Sequence, residues 1–121
     1  MLINLTPHTL NIRQIDGGYL ELPPSGEVAR LSMATPAAGI HEDYPSGVRN
    51  ATFFDKVQIR VPVVQRLVGL PEPAEDRAYV VSLVVRQAVP HRLDVLSPGE
   101  LIRGADGQPV GCDGLHANEP T

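Results

Sequence analysis

Residues 69–115 read GLPEPAEDRAYVVSLVVRQAVPHRLDVLSPGELIRGADGQPVGCDGL, and the order of signals along them decides the fold. Leu70-Pro71-Glu72-Pro73 is stiff and extended, because two prolines hold φ near one value and push their predecessors out of the helical region. Residues 78–81 (AYVV) are uninterrupted apolar, the pattern of a central strand covered on both faces. Ser82 then offers an N-cap, and a short helix is predicted from it to about Val89, where Pro90 ends it. Val84, Val85 and Val89 are poor helix formers, so a strand continuing to Val85 is the alternative. The helix is preferred because a strand over residues 78–89 would be unusually long. Residues 91–99 read as a polar loop pinned by Pro90 and Pro98. A closing hairpin follows, with Ala105-Asp106-Gly107-Gln108 as its turn between residues 101–103 and 109–112.

Upstream of this stretch the signals are those of strands. Residues 2–15 carry short apolar runs on either side of Thr6-Pro7-His8, which predicts a strand kinked at Pro7. Asp16-Gly17-Gly18 is a hairpin turn, since glycine accepts positive φ without steric cost, and residues 19–22 form the return strand. A third strand is predicted over residues 27–33. Residues 35–50 contain Pro36, Gly39, Pro45 and Gly47 without a period of 2 or 3.6, and read as a long mobile loop, a lid candidate. Strand pattern returns over residues 52–68, with Val57, Ile59 and Val61 on one face and Pro62 at an edge or bulge. The tail, residues 116–121, is polar and expected to be disordered. The fold class is therefore α+β: a small, mostly antiparallel β-sheet domain over residues 1–115, with one short helix after the central strand.

Composition supports that class and narrows the functions. A chain of 121 residues suits one domain. Twelve Pro and eleven Gly commit much of the length to turns, and with no Trp and five other aromatics the core must come from Val, Leu and Ile. A net charge of -4 offers no broad attraction to a polyanion, so duplex nucleic acid is not an expected partner. Cys112 is the single cysteine, which excludes an internal disulfide. The N-terminus MLINLTPHTL lacks a basic leader, and no run approaches the ~20 apolar residues of a membrane span, so the expectation is a cytoplasmic protein away from the membrane.

Six residues are candidates for ligand binding, each with an ordinary structural alternative. Ser82, where a central strand gives way to a helix, could hold an anion, or simply cap the helix. Arg86 and Arg92 have the planar fork that suits phosphate or carboxylate, and Asp94 could orient one of them or take a ribose hydroxyl. The alternative is an ion pair that stiffens the loop. Arg103 is a further guanidinium of the same kind. His8, beside Pro7, could act as an acid or base in a cleft, or be tied to a backbone carbonyl. No metal site or cofactor is expected, because His8, His41, His91, His116 and Cys112 stand at no ligand spacing. Cys112 sits in a glycine-rich turn without a nearby base and reads as a small packed residue.

Taken together, Asn4-Leu5-Thr6-Pro7-His8, Ser25-Gly26-Glu27-Val28-Ala29-Arg30, Gly69-Leu70-Pro71, Tyr79-Val80-Val81-Ser82, Asp94 with Pro98-Gly99, and Arg103 with Gly107-Gln108-Pro109-Val110-Gly111-Cys112 carry a resemblance. The chain resembles a family of small uncharacterised proteins recurrent in tailed-phage and prophage genomes, over most of its length apart from residues 35–50. The resemblance implies a genomic setting and no mechanism. Within it, the expected function is a non-enzymatic binding module, an anti-defence factor that recognises a host protein or a small nucleotide-like anion. One alternative is a nucleotide or phosphodiester hydrolase, with His8 carrying a proton and Arg92 stabilising charge. Another is a structural or assembly protein whose sheet edges pair between copies as a homo-oligomer.

Overall fold

The computed structural model describes residues 1–34 and 63–120, so the expected loop over residues 35–50 and the strand face of Val57, Ile59 and Val61 lie outside the described residues. In chain order the elements are β1 (Leu2–Asn4), β2 (Leu10–Arg13), β3 (Tyr19–Leu22), β4 (Arg30–Ala34), β5 (Val63–Val68), β6 (Ala78–Val80), α1 (Leu83–Ala88), β7 (Val95–Arg103) and β8 (Pro109–Ala117). The chain divides into two compact units, Met1–Leu31 with Leu67–Thr121, and Ser32–Arg66. β4 and β5 pair as a separate two-stranded sheet. Everything below concerns the first unit.

Six strands form its sheet, in the order β1-β6-β7-β8-β2-β3. The molecule is α+β, mostly strand with one short helix among the described residues, but the expected antiparallel character is corrected. β1 with β6, β6 with β7 and β2 with β8 are parallel, and only β7 with β8 and β2 with β3 are antiparallel. The physical cause lies in the connections. Adjacent parallel strands need a crossover rather than a tight turn, and α1 supplies one between β6 and β7. A second correction concerns the N-terminus. Thr6-Pro7-His8 does not kink a single strand; it separates β1 from β2, which stand at different places in the sheet.

The apolar run decides the centre. Tyr79, Val80 and Val81 are 1%, 0% and 0% exposed, as expected of a strand flanked on both sides and covered on both faces. Tyr79 and Val81 join Leu5, Ala29, Val85, Val89 and Val95 in one core cluster, with Ile3, Leu31, Leu67 and Leu70 packed against it. α1 forms despite its valines because Val85 and Val89, the latter at the C-cap just past the helix, both join that core cluster. Each contributes about 1.5–3 kcal/mol by burial, more than the few tenths of propensity it costs. Its other face is exposed at Leu83 and Val84.

The expected loop over residues 91–99 is shorter than predicted, because β7 begins at Val95 and takes in Pro98. A proline is tolerated there because β6 gives way to α1, so no strand of β6 flanks β7 at that level to need the missing N–H. The predicted hairpins are present and share one geometry. Gln14 N–H donates to the Gly18 carbonyl at 2.7 Å and Gly104 N–H to that of Gln108 at 2.8 Å. In each turn an aspartate carboxylate, Asp16 or Asp106, accepts the N–H two residues on, and Gly17 or Gly107 takes positive φ.

The sheet also closes partly on itself. β1 and β3 stand at its two ends, yet Asn4 Nδ2 donates to the Leu22 carbonyl at 2.9 Å. The chain leaving β3 continues the seam, with Ser25 N–H donating to the Asn4 carbonyl and Ala29 N–H to that of Leu5, both at 3.0 Å. At the other terminus, His116 and Ala117 extend β8, and Asn118 is buried. These three residues were expected to begin a disordered tail; their backbone pairing and burial hold them instead.

Candidate functional site

Arg86 leaves the middle of α1 and reaches across the crossover to β7 and β8. Its Nε donates to Ser97 Oγ at 2.8 Å, and its Nη1 donates to the Ala117 carbonyl at 3.2 Å and to Asn118 Oδ1 at 3.1 Å. Asn118 in turn donates from Nδ2 to the carbonyls of Val89 and Arg92, at 2.8 and 3.0 Å. Ser97 is 1% exposed and Asn118 9%, so these bonds satisfy two buried polar side chains, while the Ala117 carbonyl lies at the surface. The result is a clasp that ties the helix, the loop after it and the end of β8 together.

Arg92 and Asp94 form the next layer. Two parallel bonds, Nε to Oδ1 at 2.8 Å and Nη2 to Oδ2 at 2.9 Å, join a guanidinium and a carboxylate whose side chains are only 13% and 20% exposed. The bond from Arg92 holds the Asp94 carboxyl below the usual carboxylate range, against the opposing effect of burial. The same bond raises Arg92 above its ordinary value. Arg92 Nη2 also donates to the Pro71 carbonyl at 2.9 Å, and the Asp94 carbonyl accepts Tyr79 N–H at 2.8 Å. The pair thus links the central strand to the proline-rich segment before it.

The other candidates stand elsewhere. Asp94 is level with Tyr79, and Ser82 lies three residues further along, about 10 Å by strand rise. Ser82 is exposed, and it caps α1 through its carbonyl, which accepts Arg86 N–H at 3.0 Å, while its hydroxyl makes no capping bond. Arg103 is six residues beyond Ser97 on β7, roughly 20 Å away, and donates to the Gly107 carbonyl at 2.9 Å within its own hairpin. His8 is exposed past the end of β1, with its backbone held by Asn4 and Thr6. Arg86, Arg92 and Asp94 are therefore brought together through Asn118 and the loop, whereas Ser82, His8 and Arg103 are not brought to them.

Three polar residues of structural weight carry no signal in the sequence: Asn4, Ser97 and Asn118. Asn4 is 1% exposed, and its amide meets all of its capacity. Nδ2 donates to the carbonyls of His8 and Leu22, while Oδ1 accepts Thr6 N–H and Thr6 Oγ1–H. Cys112 is buried as expected of a packed residue, and burial pushes its thiol up.

A concave surface adjoins the Arg92 layer. A cleft of ≈ 460 Å³ lies between β1, the turn at Ser25 and the segment around Leu70, within the usual range for ligand pockets. Ile3, Leu5, Leu70, Pro71 and Tyr79 give it an apolar lining, and Ser25, Glu27 and Arg77 supply polar groups. Arg77 is itself paired with Asp76 at 3.1 Å on the surface. A larger groove of ≈ 600 Å³ lies along Ile12–Asp16, but it is built mostly from one consecutive run. The smaller cleft is walled by separate segments and backed by the core. Among the described residues no three His, Cys, Asp or Glu side chains are grouped to hold a metal. Compared with known proteins, the chain matches no family model, no curated protein and no solved structure.

Proposed function

We propose that this chain is a non-enzymatic binding module that recognises a host protein by taking an apolar side chain of an extended segment into the cleft beside β1. In the phage setting suggested by its sequence, that is the action of an anti-defence factor. The observation that carries the reading is the cleft itself: five apolar side chains line it, two of them belonging to the buried core, with a few polar groups among them. A small nucleotide-like anion is the competing ligand. Arg86 and Arg92 already donate to internal acceptors, which weighs against that version.

The alternatives have less support. A hydrolase would need His8 and Arg92 at one phosphate. His8 follows the C-terminal end of β1 whereas Arg92 precedes the N-terminal end of β7, and the intervening β6 is parallel to both, so they stand toward opposite ends of these strands. Assembly through open sheet edges meets a seam in which Asn4 and Leu22 already bridge the two ends.

A photo-crosslinking residue placed at Glu27, with a second placed at Arg103 as a remote control, tests the reading in a bacterial cytosol. The expected result is one discrete adduct from position 27, absent from position 103 and lost when Leu70→Asp is added. Equal labelling from both positions, or persistence in the Leu70→Asp background, overturns it. A thermal-shift panel of nucleotides and cyclic nucleotides addresses the competitor: a shift that disappears in Arg92→Ala would favour the anion.

A further inference from the structure

The wall of the cleft is an unusual piece of chain. Between β5 and β6, residues 70–77 contain neither strand nor helix. Leu70-Pro71-Glu72-Pro73 is nonetheless stiff, because two ring-locked φ angles lie within four residues. The arm begins at Gly69, whose φ of +86° is open to glycine and costly for other residues, and where a Cβ would collide with the Val28 carbonyl. Stiffness between a glycine and a turn makes an arm that moves as one piece.

Its described fastenings are few and unequal. Tyr79 Oη–H donates to the Glu72 carbonyl at 3.4 Å, a long bond, while the bond from Arg77 N–H to the Ala74 carbonyl at 3.5 Å lies within the arm itself. Two bonds are short and charge-assisted, both at 2.9 Å: the Met1 ammonium to the Asp76 carbonyl at the β6 end of the arm, and Arg92 Nη2 to the Pro71 carbonyl beside the cleft. Asp94 aims that guanidinium through its two parallel bonds and is itself anchored to β6 by its carbonyl. Leu70, one residue before the latched carbonyl, both lines the cleft and packs on the core cluster.

We infer that the Arg92–Asp94 pair is a latch that sets the position of the Leu70–Pro71 wall and so controls how far the cleft opens. With the latch made, Leu70 rests on the core and the cleft is narrow. With it released, the Leu70–Pro71 end of the arm swings on Gly69 while Met1 keeps the Asp76 end in place, and apolar surface is uncovered for an incoming side chain. The inference rests on reading this cleft as the binding site. Arg92 and Asp94 are positioning residues in it, because they act through the Pro71 carbonyl.

The chain has no tryptophan, so Leu70→Trp places a single tryptophan on the arm, which can be excited selectively over the three tyrosines. Adding Arg92→Lys keeps the charge and removes the fork. The expected result is a rise of about threefold in acrylamide quenching without denaturant, with far-ultraviolet circular dichroism and cooperative unfolding retained. Unchanged quenching in the folded state, with exposure appearing only on global unfolding, overturns the latch and leaves an ordinary stabilising pair. Should tryptophan prevent folding, Leu70→Cys in a Cys112→Ala background replaces it. Its thiol-labelling rate is expected to rise about tenfold with Arg92→Lys, and an unchanged rate overturns the latch equally. Neither measurement uses a ligand. Failure here leaves the crosslinking result standing, whereas failure of the crosslinking leaves the movement of the arm standing and removes its role in binding.

Discussion

At the scale of single residues, buried amides do more than the charged groups that draw the eye in the sequence. Asn4 spends two donors and one doubly accepting oxygen on the seam where the sheet meets itself. Asn4→Asp keeps the shape but turns an oxygen toward the carbonyls of His8 and Leu22. The expected loss is about 2–4 kcal/mol, read as a lower urea midpoint with an unchanged slope. Asp94 gives the pH-dependent case. Its folded-state pKa is lowered from an ordinary value of 3.8, so the stability it contributes is complete above that value and lost as pH falls through the lowered one. Asp94→Asn should therefore cost about 1–3 kcal/mol at pH 7, and the gap from the parent should shrink below pH 3.8, as measured by urea unfolding across pH. The sequence marked Arg86, Arg92 and Asp94 as notable but could not say what they hold. Arg92 meets a carbonyl 21 residues away and Arg86 one 31 residues away, and such partners have no local signature.

At the scale of elements, the crossover from β6 through α1 to β7 was readable because its signals are short-range. An apolar run, a capping position and Pro90 follow one another within 13 residues, 78–90. What holds the six-residue helix is less local. A helix this short is marginal alone, and its docking depends on Val85, Val89 and the Arg86–Asn118 clasp. Asn118→Ala would leave the carbonyls of Val89 and Arg92 without their amide donor. Amide exchange in α1 and in residues 89–92 is expected to quicken by about tenfold or more, while β2 and β3 keep their protection. Uniform acceleration across the sheet would show instead that α1 opens only with the whole unit.

At the scale of the whole molecule, the feature that matters is closure of the mixed sheet. Ile12 and Cys112 face each other across the parallel β2–β8 pair, both buried, in a sheet whose outer strands are bridged at Asn4. The raised thiol of Cys112 and its burial make it a reporter of opening. A thiol reagent is expected to label it at least about a hundredfold faster in denaturant than in buffer, with Asn4→Asp raising the rate in buffer. Fast labelling of the folded parent would contradict a closed sheet. Nothing in the one-dimensional pattern distinguishes this arrangement from a row of antiparallel hairpins, because strand alternation is the same for either direction of pairing.

By itself the sequence determined the elements whose causes lie within a few residues: the central apolar strand, the short helix after it, and the two Asp-Gly hairpin turns. Turn chemistry, proline and the run of burial act locally, so they can be read locally. Only the tertiary structure decided the parallel pairings, the placing of β1 and β2 apart, the seam at Asn4 and the internal employment of Arg86 and Arg92. Each of these depends on a contact between segments far apart in the chain, where the free energy comes from a partner that the local residues do not name.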